Sequence, residues 1–451
     1  MTEEEKEQYI HNIQQLEKEK KWKAIAAILK ELNEMDAAEL MEILAPDSMV
    51  VVFRILPKDF AADLFANLDT QEQGIILNAA SEKEVGVLLE ELMVDDAVDA
   101  LEELPANVVS RLLSEVSPQT RATINKFLAY PEDSVGSIMT AEFLGLKKSM
   151  TVKEAIERVR KGANESEQIY NCYVMDSSRH LEGAVSLKDL ILAKDNDLID
   201  DIMDTDLISA TTSEDRENVA ELFSKYDLLS MPVVDAEHRL VGIVTVDDVI
   251  DVMQEELTED MEKMAAMTPS DTPYLKSSIF KLARNRIVWL ILLMFSSVFS
   301  SLVLTSNTAV FSTIPLLIAF IPMLTDAAGN AGSQSSATII RSIATHELDT
   351  KDFYKAFFKE LCVGLIAGFT LAICNFIRII CQYHDVKVAF AVSTALVFTV
   401  MIAKLLGCAL PFLARFVKVD PALMAAPIIS TVMDTVSLVV YVLICKLIFL
   451  I

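Results

Sequence analysis

The feature that most restricts the fold of this chain is a run of 39 residues, 287–325, that contains no charged side chain. A helix needs about 20 consecutive apolar residues to cross the hydrocarbon core of a bilayer. Backbone groups in that core must be hydrogen-bonded within the protein, so the spanning structures are helices or closed barrels. The run is long enough for two membrane-spanning helices, and we expect a helical membrane protein.

The charged residues divide the chain into two parts of opposite sign. The 451 residues have a formal net charge of -27. Residues 1–275 contain 25 basic and 58 acidic residues, a net charge of -33, whereas residues 276–451 contain 14 basic and 8 acidic residues, a net charge of +6. A strongly acidic part excludes binding to nucleic-acid phosphates. It attracts cations, and without them it repels itself.

Five membrane spans fit the apolar segments. Basic residues cluster before the first span, between the second and third, and between the fourth and fifth, and the positive-inside rule places such clusters in the cytoplasm. The acidic part is then cytoplasmic, the C-terminus lies outside, and no signal peptide is expected at the polar N-terminus. A multi-pass protein of a bacterial plasma (inner) membrane is predicted. The expected spans are 284–306, 313–343, 355–380, 388–415 and 421–449.

Residues 1–131 have the pattern of short amphipathic helices. Leu, Ile, Val and Ala recur there at three- and four-residue spacing. Pro46, Pro57, Pro105 and Pro118 fall where helices are expected to begin or end. We predict an acidic, all-α N domain of stacked helical hairpins with a superhelical form.

A duplicated α/β segment follows the N domain. The stretch that begins Leu181-Glu-Gly-Ala-Val-Ser reappears 59 residues later as Leu240-Val-Gly-Ile-Val-Thr, and Ser137-Ile-Met-Thr reappears as Asp201-Ile-Met-Asp. Such a repeat is typical of paired modules, and its Gly-apolar-apolar-Ser/Thr-x-x-Asp pattern resembles a tandem CBS pair. The modules are assigned to residues 132–200 and 201–257, a long polar connecting (plug) helix to 252–275, and the transmembrane domain to 276–451.

The resemblance to CBS pairs implies ATP or another adenine nucleotide in the cleft between the modules. The Ser or Thr and the Asp of each repeat would face its ribose and phosphates, and these residues are Ser186, Asp189, Thr245 and Asp248. The alternative is a pair that has lost its ligand, in which the two aspartates are ordinary caps of the helices that follow the strands.

The last span contains an isolated acid, Asp434. It lies 13 residues after Pro421, which is about 20 Å along a helix and well inside a hydrocarbon core about 30 Å thick. A charge at that depth is costly, so it predicts a bound cation or a water-filled path. The alternative is an ion pair with Lys404 of another span, because Lys446 is close enough to the chain end to reach the interface.

The second span is interrupted by prolines and is rich in small and amide residues. Its Gly329, Asn330 and Gly332 would supply backbone and amide oxygens, which are ligands of hard cations. Irregular backbone at membrane depth occurs where it is buried in protein or lines water. We predict that these residues line a pore with Asp434, and close packing of helices through small residues is the alternative.

Together these parts resemble the MgtE family of magnesium channels. The resemblance covers nearly all 451 residues and includes the motifs Gly329-Asn-Ala-Gly-Ser-Gln-Ser and Asp420-Pro-Ala-Leu, with Asp434 downstream. The family implies a homodimer whose pore lies on the two-fold axis, where Asp434 of each chain binds hydrated Mg²⁺. Mg²⁺ sheds water reluctantly and prefers octahedral oxygen, so a wide carboxylate site can hold the ion with its water.

The resemblance also implies that cytosolic Mg²⁺ closes the pore by bridging acidic faces. Without the family, most of these acids would be interpreted as solvated surface residues. The charge of -33 makes the mechanism physically reasonable, because the faces repel one another at low Mg²⁺ and are bridged at high Mg²⁺. The implied ligands are Asp63, Asp95 and Asp99 in the N domain, Asp215, Glu217, Asp227, Asp248 and Asp251 in the second module, Glu256, Glu259 and Asp260 on the connecting helix, and Asp420 before the last span.

Three residues depart from the family pattern. Ala328 stands where a second glycine is usual, and Asp326 adds an acid near the expected pore. Lys404 lies in the fourth span, where a neutral residue is expected, and it would lower conductance if it faced the pore. These departures bear on the detail of selectivity.

The sequence therefore predicts a Mg²⁺-selective, Mg²⁺-gated channel. No P-loop, nucleophile elbow or His-based dyad argues for an enzyme. One alternative is a CBS-regulated carrier of another divalent cation, such as Co²⁺ or Mn²⁺. Another is a membrane-anchored sensor of Mg²⁺ or nucleotide that conducts nothing. The expected partners are a second copy of the chain, membrane lipid and hydrated Mg²⁺, and not nucleic acid.

Overall fold

The computed structural model of the chain describes residues 1–102, 104–163, 166–270, 274–345 and 347–450. Two units separate by their internal contacts, Met1–Met253 and Gln254–Ile451. The first unit holds the acidic helices and the duplicated α/β segment. The second holds the apolar helices.

Short helices build the first part of unit 1, and most pack against the next helix but one along the chain. Pro46 and Pro118 are the first residues of their helices, whereas Pro57 and Pro105 immediately precede theirs. A helix begins readily there because its first N–H groups have no partner within the helix. The all-α prediction is confirmed, and the superhelical form stays a prediction. The helices are α1 (Glu3–Lys18), α2 (Trp22–Leu29), α3 (Glu34–Met41), α4 (Pro46–Phe53), α5 (Lys58–Ala66), α6 (Thr70–Ala79), α7 (Glu82–Glu91), α8 (Val94–Glu102), α9 (Ala106–Leu112) and α10 (Pro118–Phe127).

The duplicated segment forms two modules that share one topology. Each has a three-stranded sheet, in the orders β1-β2-β3 and β4-β5-β6, with a parallel pair followed by an antiparallel pair. A capping box, Thr151 with Glu154, begins α11. The elements are β1 (Gly145–Leu146), α11 (Val152–Gly162), β2 (Asn171–Met175), β3 (Leu181–Ser186), α12 (Leu187–Leu192), α13 (Ile199–Ile202), β4 (Ala210–Thr211), α14 (Arg216–Tyr226), β5 (Ser230–Val234), β6 (Leu240–Thr245) and α15 (Val246–Met264).

The two modules exchange the segments that precede their first strands. Thr140, which precedes β1 of the first module, forms N–H···O bonds of 2.8 and 2.9 Å with Ile243 on β6 of the second. Asp204, which precedes β4 of the second module, forms two bonds of 2.9 Å with Ala184 on β3 of the first. The repeated Ile-Met sequences are therefore the links that join the pair.

This exchange explains the glycine of each repeat. A Cβ atom on Gly183 would lie 2.8 Å from the Asp204 carbonyl oxygen, and one on Gly242 would lie 2.6 Å from the Thr140 carbonyl oxygen. Real Cβ atoms essentially never approach backbone so closely. The glycines are required by the crossing backbone, whether or not a ligand binds nearby.

A continuous apolar core joins the N domain to the second module. Phe127 of α10, Met139 of the exchanged segment and Phe223 of α14 are buried in one cluster. The first module has its own core around Val152, Val174 and other buried residues. The N domain and the second module therefore form one packed body.

Unit 2 consists of long apolar helices. Four helical segments among its described residues are long and apolar enough to cross a membrane: Ile279–Ser306, Thr350–Tyr383, Val386–Phe416 and Pro421–Phe449. The helices are α16 (Ile279–Ser296), α17 (Val298–Ser306), α18 (Thr308–Thr313), α19 (Ile321–Ala344), α20 (Phe353–Tyr383), α21 (Val386–Phe416) and α22 (Ala426–Phe449), with 3-10 turns at Pro315–Phe320, Thr350–Asp352 and Pro421–Met424.

The predicted second span differs most from expectation. Its break lies at the 3-10 turn Pro315–Phe320, whereas the Gly329–Gly332 segment, expected to be irregular, lies inside the continuous helix α19. The 24 residues of α19 would extend about 36 Å, but polar side chains lower its hydropathy. Five spans therefore remain a prediction, although α19 packs between α21 and α22.

Candidate cation sites

Asp434 lies on α22 and is half-buried. The next residue, Thr435, forms a hydroxyl–hydroxyl hydrogen bond of 2.9 Å with Ser300 of α17, so the carboxylate sits where the first span meets the last. Among the described residues, no Lys, Arg or His side chain forms an ion pair with Asp434. Its charge is therefore not neutralised within the part of the chain that the structure describes.

Lys404 is the alternative partner that the sequence left open for Asp434. It is 7% exposed on α21, and its Nζ donates a hydrogen bond of 3.2 Å to Oε1 of Gln334 on α19. The neighbouring Ser335 donates to the carboxylate of Glu360 on α20. Lys404 thus joins α19 to α21, and Glu360 joins α19 to α20. Lys404 is bonded to Gln334 and not to Asp434.

The glycines of α19 serve close helix packing. A Cβ atom on Gly329 would lie 3.2 Å from Oγ of Ser430, and one on Gly332 would lie 2.6 Å from Cγ2 of Ile429, both on α22. Asn330 is exposed between them. Both glycines lie against the turn of α22 before Asp434, so the packing alternative holds within one chain, and the pore-lining role of the three residues stays a prediction.

Two of the departures noted in the sequence also lie on α19. Ala328 is fully buried, so it occupies packed space within the helix bundle. Asp326 is exposed, one turn before Asn330.

Four carboxylic acids meet where the N domain packs on the CBS pair, and we call this group the acidic junction. Asp95 and Asp96 come from the first turn of α8, Glu167 precedes β2, and Asp248 lies in the first turn of α15. All four are half-buried. Electrostatic repulsion couples each of them to at least one other member.

Burial and like charge act together at the acidic junction. Burial, followed by repulsion from Asp248 and other acids, raises the pKa of Glu167 to about 7. Burial and repulsion from Glu167 raise the pKa of Asp96 to about 7, and the pKa of Asp95 lies well above its ordinary value for the same reasons. Burial raises the pKa of Asp248 to about 6, against the hydrogen bond from Thr245. A divalent cation relieves such repulsion.

The other predicted N-domain and α15 acids lie around this group. Asp63 is exposed as a whole residue. Partial burial of its carboxyl group, followed by repulsion from Glu34 and Asp59, raises its pKa. Burial and Asp247 raise the pKa of Asp251. Asp99, one turn after Asp95 on α8, is exposed and contributes repulsion to Asp96.

The acids predicted on α14 do not form one cluster. Asp215 is the N-cap and accepts a 2.9 Å hydrogen bond from the Glu217 N–H, whereas Asp227 ends the helix with a left-handed backbone, φ 52°. The 11 residues of α14 separate its two ends by about 17 Å. Asp215 and Glu217 could share one ion, but Asp227 could not join them within the same module.

In unit 2, acids of the connecting helix meet the start of the last span. Lys263 Nζ lies 2.8 Å from Oε1 of Glu259 on α15 and 2.8 Å from Oδ2 of Asp420. Burial, followed by repulsion from Asp420, raises the pKa of Asp260. Glu256 lies one turn before Asp260 on the same helix.

The residues predicted to face a nucleotide occupy cap positions. Ser186 accepts a 3.1 Å bond from the Asp189 N–H and donates one of 2.5 Å to its carboxylate. Thr245 donates a 2.6 Å bond to the Asp248 carboxylate. The hydroxyl residue, and not the aspartate, therefore stands at the cap position, and each aspartate lies in the first turn of the helix that follows. Nucleotide binding by these residues stays a prediction, and Asp248 is in addition a member of the acidic junction.

The sequence pattern does not identify three residues of these sites, which are Asp96, Glu167 and Lys263. The adjacent acids Asp95-Asp96 and the spacing of Lys263 from Glu259 on one helix face are local signals that could have found two of them. Glu167 lies in the polar segment before β2, and no pattern around it indicates its neighbours.

One further carboxylate group lies among the helices of the N domain. Oxygens of Glu42, Asp69 and Glu72 come within 4.8 Å of one another. The Asp69 N–H donates a 3.2 Å hydrogen bond to Glu42, so part of this arrangement joins helices without any ion.

The order of these parts matches known families. Residues 32–133 match the MgtE intracellular N domain, residues 135–196 and 199–255 match CBS domains, and residues 321–444 match a family described as a divalent cation transporter.

Two relatives are similar to this chain over nearly its full length. The magnesium transporter MgtE of Thermus thermophilus is 35% identical over 429 residues, which cover 94% of this chain and 95% of that protein. The Bacillus subtilis magnesium transporter MgtE is 30% identical over 429 residues, covering 92% and 95%.

Two solved structures resemble the part of this chain that precedes the apolar helices. The soluble part of a magnesium transporter has a TM-score of 0.53 at 30% identity and covers 56% of this chain and 99% of its own. The cytosolic domain of the Mg²⁺ channel MgtE in complex with ATP has a TM-score of 0.51 at 37% identity and covers 54% and 99%. With a relative more than 30% identical over nearly its full length, the chain belongs to the MgtE family of magnesium transporters.

Proposed function

We propose that the protein is a Mg²⁺-selective channel that admits Mg²⁺ to the cell and is closed by cytosolic Mg²⁺. The observation that carries the proposal is the Asp434 carboxylate, which lies in an apolar helix without a cationic partner among the described residues. A carboxylate at that depth is stable beside water and a cation. Entry would follow the membrane potential, worth about 2.3 kcal/mol per charge per 100 mV and twice that for a divalent ion.

The pore of the proposed channel is formed by two copies of the chain. Asp434 of each copy faces the two-fold axis, and two carboxylates that repel each other are relieved by a hydrated divalent cation. Exposed Asn330 on α19, near the same level of α22, supplies an amide to the ion's water shell. In this arrangement α19 is the second of five spans, and its glycines hold it against α22.

The acidic junction is the proposed sensor in the cytosolic unit. Four carboxylates with mutually raised pKa values disfavour close contact of the N domain and the CBS pair when all are ionised. Mg²⁺ bound between them removes the repulsion and stabilises the closed arrangement. Helix α15 carries Asp248 and Asp251 near its start and Glu259 and Asp260 near its end. The chain therefore runs from the acidic junction into unit 2 through a single helix.

Two finer points belong to the same proposal. The ATP in the related cytosolic-domain structure supports an adenine nucleotide at Ser186, Asp189, Thr245 and Asp248. The divalent-cation description of the matched family favours, as the second candidate, a carrier of Co²⁺ or Mn²⁺. Flux into liposomes across a panel of divalent ions decides between the two candidates.

The test of the pore assignment is Asp434→Ala in a bacterial strain that lacks other Mg²⁺ importers. We expect growth at low Mg²⁺ to fail, because the ion loses its membrane-depth ligand, and Asp434→Asn to fail likewise. Uptake is measured together with the amount of inserted protein.

The matched control is Asp352→Asn, which changes an acid in the 3-10 turn before α20. That variant should support growth. Normal growth of the Asp434→Ala strain, at normal insertion, would reject Asp434 as a pore ligand.

A further inference from the structure

Lys263 occupies a position between acids of two different elements. Its Nζ contacts Glu259, on its own helix, and Asp420, at the start of the last span, at 2.8 Å each. Its side chain is 22% exposed. The Asp420 carboxylate is held in place by its other oxygen, Oδ1, which accepts a 2.8 Å hydrogen bond from the Ala422 N–H.

Three acids lie close to Lys263. Glu259 and Asp420 contact its ammonium group. Asp260 is the third, and burial, followed by repulsion from Asp420, raises its pKa. Lys263 contributes a covalently attached positive charge to this group of acids, so its pairing with two of them does not depend on the concentration of any free ion.

We propose that Lys263 is a tethered cation that holds the connecting helix against the start of the last span when no divalent ion is bound. The inference rests on the proposed gating by Mg²⁺. An ammonium is a compact point charge, and it supplies part of the neutralisation that bound Mg²⁺ would otherwise provide. The lysine thus sets how much cytosolic Mg²⁺ is needed for closure and lowers the number of ions on which closure depends.

The first experiment records current through the full-length channel in inside-out patches while cytosolic Mg²⁺ is titrated. Lys263→Gln removes the cation that lies between Glu259 and Asp420, so closure should need about two- to fivefold more Mg²⁺, the effect that one partly exposed pair supports. The current should also fall more steeply with Mg²⁺ concentration, because one more Mg²⁺ ion must bind in place of the lysine. Lys263→Arg, which keeps the charge, should behave like the wild type.

The matched control is Lys355→Gln, which removes an ion pair of 2.8 Å between Lys355 and Asp352 elsewhere in unit 2. Its Mg²⁺ titration should be unchanged. A Lys263→Gln titration that coincides with the wild type overturns the proposal. A wild type whose current does not respond to cytosolic Mg²⁺ instead refutes the proposed gating.

A second experiment tests the tether without any ion. Leu257 and Met261 are exposed on the second half of α15 and become chymotrypsin sites when the helix end opens. In EDTA, Lys263→Gln should be cleaved there faster than the wild type and Lys355→Gln. Equal cleavage rates in the three proteins would show that Lys263 does not hold the helix and would overturn the proposal.

Discussion

At the scale of single residues, burial and like charge act in the same direction on the acids of the acidic junction. Burial and neighbouring acids raise the pKa of Asp96 and Glu167 to about 7 and that of Asp248 to about 6. In the unfolded chain these groups titrate near their ordinary values of about 4. The folded state therefore binds more protons between about pH 4 and pH 7, and its stability falls as the pH rises through that window.

Because the folded state loses stability as these acids ionise, neutralising one of them by Asp96→Asn should stabilise the metal-free protein. The amide cannot ionise, so in EDTA at pH 8 the melting temperature of unit 1 should rise by about 2–4 °C, the change that about 1 kcal/mol produces in a unit of this size. The difference in melting temperature between pH 6 and pH 8 should also shrink. Scanning calorimetry of the full chain in detergent measures both.

The control for this prediction is Glu7→Gln on α1, which neutralises an exposed acid of the same domain. It should leave the melting temperature nearly unchanged. An equal rise in the control, or no rise for Asp96→Asn, would show that repulsion at the acidic junction does not limit stability.

At the scale of elements, glycines let α19, α20 and α21 pack closely together. A Cβ atom on Gly407 of α21 would overlap the carbonyl oxygen of Gly332 and lie 3.0 Å from Cβ of Ser335. A Cβ atom on Gly364 of α20 would lie 3.2 Å from Cα of Met401 on α21. Small residues let helix backbones pack closely in lipid, where no hydrophobic force drives helices together.

Gly407→Ala should therefore destabilise the membrane unit by about 1–3 kcal/mol, the usual cost of overpacking. The added methyl group meets backbone, which cannot move aside as a flexible side chain does. Thermal unfolding in detergent, followed by the loss of the monodisperse peak in size-exclusion chromatography, measures the change.

Gly74→Ala is the matched control, because nothing lies within 4 Å of a Cβ at that position in α6. Alanine in a helix is favoured over glycine by about 1 kcal/mol, so this variant should be as stable as the wild type or more stable. Equal stability of Gly407→Ala and the wild type would contradict the close packing of α19 and α21.

At the scale of the whole molecule, the N domain is proposed to restrain the pore. Deletion of residues 1–130 removes Asp95 and Asp96 and leaves the second module without half of the acidic junction. The shortened protein should conduct, but half-maximal closure should need about fivefold more cytosolic Mg²⁺ or more, the lower range of allosteric coupling. Flux is measured per inserted molecule, because the deletion also removes the N-domain part of the shared apolar core.

Loss of all transport in a normally inserted deletion would show that the N domain is needed for more than closure. Unchanged sensitivity to Mg²⁺ would place the sensor elsewhere in the chain.

Local patterns in the sequence determined the parts of this protein. Helical periodicity and the prolines at helix starts predicted the N domain, the duplication predicted two modules, and long apolar segments predicted the spans. The family resemblance, which the comparisons confirm, came from the order of those parts. Each of these features depends on residues close together in sequence, because a helix, a turn or a span is formed by consecutive residues.

Packing alone decided which distant side chains meet. The sequence contains Asp96, Glu167 and Asp248, yet only the docking of α8 on the CBS pair brings their charges together. It also contains Lys404 and Lys263. Only in the folded chain does Lys404 donate a hydrogen bond to Gln334 and Lys263 form an ion pair with Asp420. Such pairings depend on how helices and modules pack in three dimensions, and no periodicity within a single segment encodes them.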